Sequence, residues 1–475
     1  MRKITYISFV LLLIFLNGTI DAQQDLTSYY LNSLPQTSYN NPAFSPDSRL
    51  YIGVPGLSSL YFGMSNNLFD AKNVIQKRSD DSISINTNNF INNLHKFNYL
   101  NLNFQEDILA FGFRLKKNYF TFCYSVKGFA QINYAKDIPR LLVNGNYDPT
   151  LMASEGKTFD FSNTGANAMV YQEFAVGMNR KVTSKLTAGA RVKALFGIVD
   201  VQTKKSEGSL YTSSEQTFHN NTINAAFDVN TNIPGIDDNT KTKTSDFIGA
   251  KNLGFGLDLG ADYLLNDKIS VSASLLDLGY IRWKSTPINY SFTSDNVAFS
   301  FQGIDPNKVY NLQNKELKED TVYTKQLKDS LSKIFDTKKT NKAYSTSLPT
   351  KIILSGAYHL TKNDVFGVLL RGDILANHLY PSFALSYNRK LTNYVQASVS
   401  YSMRNRDYTN IGIGLVLSLG SVQLYLITDN ILGLVEMNKV IIDKGNTKII
   451  YPNNTKNMNA RFGMNIVLGR SKSKD

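Results

Sequence analysis

The residues of this chain with chemistry to offer a solute are charged side chains set singly between apolar neighbours. Asp258 and Asp262 alternate with Phe255, Leu257, Leu259, Ala261 and Tyr263, with Gly256 and Gly260 at the remaining polar-side positions. Glu173 stands beside Phe174, Arg191 and Lys193 lie between Ala190, Val192 and Ala194, and Arg114 and Lys116 lie opposite Phe113 and Leu115. Arg371 and Asp373 are set opposite Val368 and Leu370, and Arg461 and Asn465 repeat the pattern near the end of the chain. Successive strand side chains point to opposite faces, so these groups gather on one wall. Such a wall either selects charged solutes, as rings of charge do in pores, or pairs across an interior and locks it. Both signs are present and an unpaired buried charge is costly, which favours pairing.

Catalysis lacks its parts. An enzyme needs a nucleophile with a base, or metal ligands at useful spacing. His95, His219, His359 and His378 are scattered, Cys123 is the single cysteine, and no Gly-rich phosphate loop, His-Glu-x-x-His or Cys cluster occurs. Ser398, Ser400 and Ser402 read as the polar half of one strand. No catalytic residue, cofactor or metal site is expected, and the chain is read as a non-enzyme.

The elements that would position these charges are short alternating segments. Val395, Ala397, Val399, Tyr401 and Met403 alternate with Gln396, Ser398, Ser400 and Ser402, and Leu186 to Phe196 does the same. Each such segment has one apolar and one wet face, and each is about long enough to cross a bilayer at a tilt. Candidate strands are 50–64, 106–116, 118–129, 168–180, 184–200, 251–264, 268–284, 346–360, 364–373, 380–389, 393–404, 408–419, 421–429 and 459–469. Short turns (117–118, 182–183, 266–267, 361–364, 390–393, 420–421) alternate with long connections (130–167, 201–250, 285–345, 430–458). Outer-membrane barrels have short periplasmic turns, long external loops and an even strand number. The expected fold is therefore an all-β transmembrane antiparallel barrel of about 14 strands, within about 12 to 16, with an N-terminal plug-like segment and long structured extracellular loops. On that reading Val399→Arg, on the lipid face, blocks assembly and Ser400→Arg does not.

The ends complete the organisation. Residues 1–22 read as a signal peptide: Arg2 and Lys3, an apolar run over Ile7–Leu16, and a cleavage site after Ala22. Residues 23–48 form a polar N-terminal segment, 49–469 the barrel and 470–475 a basic periplasmic tail. No later stretch approaches the roughly 18 apolar residues of a spanning helix. A mean hydropathy of −0.22 does not count against a membrane barrel, whose lipid face takes every second residue. The 27 Tyr and 28 Phe suit aromatic girdles. Within the connections, Asn88–Phe97 predicts a short helix, Ile223, Ala225 and Phe227 a hairpin extension, and Tyr323, Leu327, Leu331 and Phe335 a loop helix. The formal charge of +13 is dispersed rather than clustered, which argues against nucleic acid and for anionic lipid or an acidic partner. Lys116-Lys117, Arg180-Lys181, Lys185, Lys268, Lys362 and Arg389-Lys390 place much of it at the short turns, where headgroups would meet it.

Several phrases carry a family resemblance: Asn41-Pro42-Ala43-Phe44, Gly56-Leu57-Ser58-Ser59, Ala194-Leu195-Phe196-Gly197, Leu276 to Lys284, Thr428 to Gly433 and Arg461 to Asn465. Together they resemble an uncharacterised outer-membrane barrel family of Bacteroidota, domain-of-unknown-function family 5723. More distantly, Asn41-Pro42-Ala43 is similar to the long-chain fatty-acid transporter superfamily and its type IX secretion relatives. The resemblance implies an integral barrel in the outer membrane of a Gram-negative bacterium, with Asn41, Pro42 and Ala43 as the turn of a plug. Two functions follow: passive transport of small apolar or amphipathic solutes, or a non-conducting docking barrel of an envelope complex related to type IX secretion or gliding. The partners are outer-membrane lipids, with a small apolar solute in the first case and a periplasmic or envelope protein in the second.

Overall fold

The alternating segments build a closed antiparallel barrel of fourteen staves in the computed structural model. The structure describes residues 26–67, 75–77, 83–144, 157–212, 220–233, 251–300, 310–311, 316–317, 338–375, 378–404, 407–435, 437–442, 447–452 and 456–469. The signal segment, the 323–335 loop helix and the tail from 470 lie outside them. Stave β1 is split into Leu50–Gly53 and Leu60–Asn66, followed by β2 (Phe97–Leu115), β3 (Asn118–Ala135), β4 (Gly165–Lys181) and β5 (Leu186–Thr212). Then come β6 (Asn252–Asn266), β7 (Ile269–Trp283), β8 (Thr350–His359), β9 (Asp364–Leu375) and β10 (His378–Lys390). The wall ends with β11 (Val395–Arg404), β12 (Asp407–Leu419), β13 (Val422–Thr428) and β14 (Asn457–Leu468). Neighbours pair in chain order, and β14 closes on β1 through Leu50 opposite Leu468 and Leu60 opposite Phe462.

The two faces separate as alternation demands. Phe62, Phe111, Phe255, Leu354, Phe366, Val399 and Leu426 are exposed on the outer face, while their sequence neighbours turn inward and are mostly buried. The interruption in β1 is Pro55-Gly56: Gly56 takes φ +68°, a left-handed turn that breaks pairing and lets the stave resume at Leu60. No helix among the described residues is long and apolar enough to cross a membrane. The helix Thr87–Asn93 is capped by Asn86, whose side chain accepts from the Asn89 amide at 2.9 Å.

Some boundaries move. β2 begins at Phe97, nine residues before the expected 106, because its inner face is written in asparagine and glutamine (Asn101, Asn103, Gln105), polar residues that face a wet interior and carry no apolar alternation. β5 runs on to Thr212 and pairs with Asn220–Asn232, which pairs with Ile288–Ser300, so a sheet rises beyond the barrel as the 223–227 alternation predicts. Phe227 and Phe292 stack across it at 5.1 Å. Trp283 sits in no girdle: it is wholly buried at the inner top of β7, packed against Gly197.

Candidate functional site: a plugged lumen

Residues 26–48 lie inside the barrel. They cannot join a sheet whose every stave is already paired on both sides, so their backbone groups must find wall side chains instead. Asn179 Nδ2 donates to the carbonyls of Pro42 (3.2 Å) and Phe44 (3.0 Å), and Arg191 Nη2 to that of Ser38 (2.7 Å). Ser274 Oγ donates to Asn40 O (2.7 Å), Gln423 Nε2 to Ser33 O (2.9 Å) and Ser398 Oγ to Thr27 O (3.3 Å). The segment answers with its own side chains. Thr27 Oγ1 meets Ser400 Oγ at 2.7 Å, Tyr30 donates to the Gly356 and Val368 carbonyls, Tyr39 donates to Asp107, and Gln36 and Asn465 exchange two bonds of 3.0 Å. The inward serines of β11 are thus more than the polar half of a strand: two of the three hold the plug.

Asn41-Pro42-Ala43 is the plug's turn. Asn41 Oδ1 accepts the Ala43 amide at 2.9 Å, an Asx turn that Pro42 stiffens by fixing φ, while Asn41 Nδ2 reaches the Ala261 carbonyl at 3.3 Å. The turn fits because two wall positions carry no side chain. A Cβ on Gly189 would run into the Pro42 carbonyl, and one on Gly260 would stand 2.8 Å from Pro42 Cδ. Gly412 and Gly414 make the same room for Thr27 and Leu31, and Gly463 for Ser58 of the broken first stave. At Gly112 the crowding group is instead Tyr51, and at Gly177 it is Thr121. Leu26, Tyr29 and Tyr30 complete an apolar cluster with Leu276, Ile353, Leu369 and Ala384, while Leu31 and Leu34 do so with Val416, Tyr425 and Ile427. The plug therefore contacts the wall all the way round. Its contacts run from Asn179 and Gln423, near the short turns, to Ser400 and Asp107, well along their staves.

A layer of paired charges on β3 to β8 lines one side of the lumen beyond the plug. Lys193 reaches Asp258 at 2.7 Å, Glu173 at 3.7 Å and Asp277. Lys127 reaches Glu173 at 2.7 Å, Lys351 reaches Asp277 at 2.5 Å and Arg191 reaches Asp258 at 3.5 Å. Four cations thus face three carboxylates, each cation held against an acid as buried charge requires. Asp277 enters by a bulge: register slips between Leu257/Leu278 and Leu259/Leu275, Asp277 takes φ +56°, and both it and Leu276 turn inward. Its amide donates to Asp258 Oδ1 at 2.7 Å.

Of the charges read from sequence, Glu173, Arg191, Lys193, Asp258, Arg371, Asp373 and Arg461 are buried inward. Arg371 bonds Asp373 at 3.0 Å, and Arg461 bonds Ser59 at 2.5 Å and lies over the Tyr61 ring. Arg114 is at the mouth, exposed, donating to the Pro46 carbonyl at 2.8 Å. Asp262 is half-buried in a mouth cavity of about 270 Å3 between plug and wall, with Tyr30, Asp47, Ser272 and His359. Lys116 is not a lumen residue: it is exposed in the β2–β3 turn at φ +55°, where strand alternation has ended. Lys127, Asp277 and Lys351 are members of the layer that the sequence reading misses. Extending the parity of β3 and β8 recovers Lys127 and Lys351; it does not recover Asp277, because a bulge reverses parity. Above the layer a cavity of about 80 Å3 opens between Asn101, Lys127, Lys351 and Arg371.

Among solved structures, the chain is similar to the toluene transporter TodX of Pseudomonas putida at 10% identity, covering 95% of this chain and 94% of that one, with a TM-score of 0.35. It is similar to the toluene transporter TbuX of Ralstonia pickettii at 9% identity over 91% and 94%, TM-score 0.40. A FadL homologue of Pseudomonas aeruginosa gives 10% identity over 95% and 99%, TM-score 0.41. No curated protein matches the chain. The model of a family of unknown function, DUF5723, matches residues 42–429, from the plug turn to the end of β13, and the chain belongs to that family.

Proposed function

We propose that this protein is a gated outer-membrane barrel that passes small apolar or amphipathic solutes passively, with residues 26–48 as the gate. The observation that carries this is how the lumen is filled. About eight strands enclose an interior that side chains alone can fill, whereas 16 to 18 leave an aqueous channel. A barrel of fourteen staves would leak, and here the closing material is a chain segment covalently tied to the wall only where it runs into β1. An anchor has no use for that girth. The paired charge layer denies an ion a lone counter-charge to follow, which supports solutes without net charge. The short turns are then periplasmic.

Deletion of residues 24–45 tests the gate. After heat-modifiable migration has shown the deleted barrel to be folded, single-channel conductance in planar bilayers is expected to rise well above the closed wild type. A folded deletion that conducts no more than wild type refutes the gate. One observation favours the docking reading instead: the hydrogen bonds that fasten the plug on every side describe a stopper built to stay. Co-purification from native membranes separates the two, since docking requires a stoichiometric protein partner and transport does not.

A further inference from the structure

The lipid-facing side of the wall carries a groove of about 860 Å3 across β4 to β8, on the back of the spot where the plug turn rests. Ala188, Ala190, Ala261 and Ala273 form its floor, and Met178, Leu259 and Leu354, all exposed on the outer face, form its sides. Inside this wall Gly189 and Gly260 give their space to Pro42 and Asn41; outside, the intervening positions are alanines, so the wall is thin on both faces. At the short-turn end the groove is lined by Arg180, the last outward residue of β4 after Val176 and Met178. Lys181 and Lys185 are exposed beside it.

We infer that this groove binds one acyl chain of an anionic phospholipid, with the phosphate on Arg180. In a bilayer every apolar surface is already covered by tails, so hydrophobicity alone holds no particular lipid. Retention needs a concave fit for the chain and a charge for the head. The groove supplies the first along the outer face and the second at the level where headgroups lie. A cationic rim above an apolar trough matches an anionic headgroup on a tail. The site lies outside the lumen and stands whether or not the plug is a gate.

The test uses the full mature chain, delipidated in mild detergent and offered dioleoyl phosphatidylglycerol or dioleoyl phosphatidylcholine, with bound lipid counted by native mass spectrometry. Wild type is expected to keep one phosphatidylglycerol and to prefer it at least tenfold over phosphatidylcholine. Ala273→Phe, which fills the groove from the lipid side, is expected to lose the adduct, and Arg180→Gln to keep an adduct without headgroup preference. Both variants must show the wild-type heat-modifiable shift. A wild type without an adduct, an adduct unchanged by Ala273→Phe, or equal retention of both lipids by wild type overturns the proposal. So does a protein dimer that Ala273→Phe disperses, which would make the groove an interface between copies.

Discussion

Gly189→Val is a sharp perturbation of the plug because it leaves the wall intact. Valine suits a strand at least as well as glycine, and position 189 has full ladder partners in Asn179 and Gly260. Its side chain, however, would occupy the place of the turn. The new Cβ would stand 2.7 Å from the Ala43 amide nitrogen and closer still to the Pro42 carbonyl. Those are backbone atoms with no rotamer to retreat into, so the turn must leave. It would give up the Asn179 bonds to Pro42 and Phe44, the Ser274 bond to Asn40 and the Asn41 bond to Ala261. At about 1 kcal/mol net for each, the turn loses roughly 4 kcal/mol of hold. That raises its detached population about a thousandfold.

The chain provides its own reporter. Cys123 is the single cysteine; it is 7% exposed and lies 3.5 Å from the hydroxyl of Tyr39, two residues before the turn. Its maleimide labelling rate in the folded barrel is expected to rise by two to three powers of ten in Gly189→Val, following that population. Thr27, Ser33 and Gln36 remain fastened to β11, β13 and β14, so the opening is partial and conductance should flicker rather than hold steady. Gly356→Val is the control: a Cβ there meets nothing nearer than 4.0 Å, and labelling should stay at the wild-type rate. A folded Gly189→Val barrel that protects Cys123 as well as wild type would mean that the turn does not rest on Gly189.

Two further outcomes follow from the wall. Val399→Arg places a charge on the lipid face, where Val399 is 52% exposed, and should cost ~2–4 kcal/mol near the midplane and block assembly in an unfolding titration. Ser400→Arg should assemble but lose the plug, since Ser400 is buried against Thr27; the tolerance expected from alternation alone holds for the wall and fails for the lumen. Lys193→Met leaves Asp258 with Arg191 alone and Asp277 with Lys351 alone, and should lower stability in urea by less than the roughly 3–5 kcal/mol that a buried charge left with no partner costs. Lys193→Met combined with Asp258→Asn should recover part of that loss, and strict additivity of the two changes would show that the pair is not coupled.

The barrel is legible in the sequence because its rule is local. Alternation needs only a residue and its neighbours two away, and the stave ends in β7, β9 and β12 fall within two residues of where it places them. Departures occur where something else sets the face. β2 hides its first nine residues behind an asparagine-rich inner wall, Asp277 is turned inward by a bulge, and Lys116 reads as lumenal one step after the strand has ended. The plug is legible only as a turn. Asn41-Pro42-Ala43 announces a bend, but the partners of residues 26–48 lie from tens to hundreds of positions away, as Asp107 does from Tyr39 and Ser400 from Thr27, and no spacing within the segment encodes them.

What the sequence does record is the wall's half of that contact. Gly189, Gly260, Gly412 and Gly414 are inward positions at which a strand would gain from a side chain, since glycine weakens a sheet. Each instead faces a plug atom that a Cβ would strike. A lumen merely filled by its own side chains would put bulk at those places. Inward glycines whose Cβ would strike the inserted segment, unlike Gly112 and Gly177, are therefore the trace that such a segment leaves in the amino-acid sequence of its barrel. They also bear on mechanism: a wall shaped to a plug binds it in one seat and one register. Under the proposed gate, opening proceeds by unseating the Asn41 turn, while the Leu31 and Leu34 side of the segment stays packed against β12 and β13.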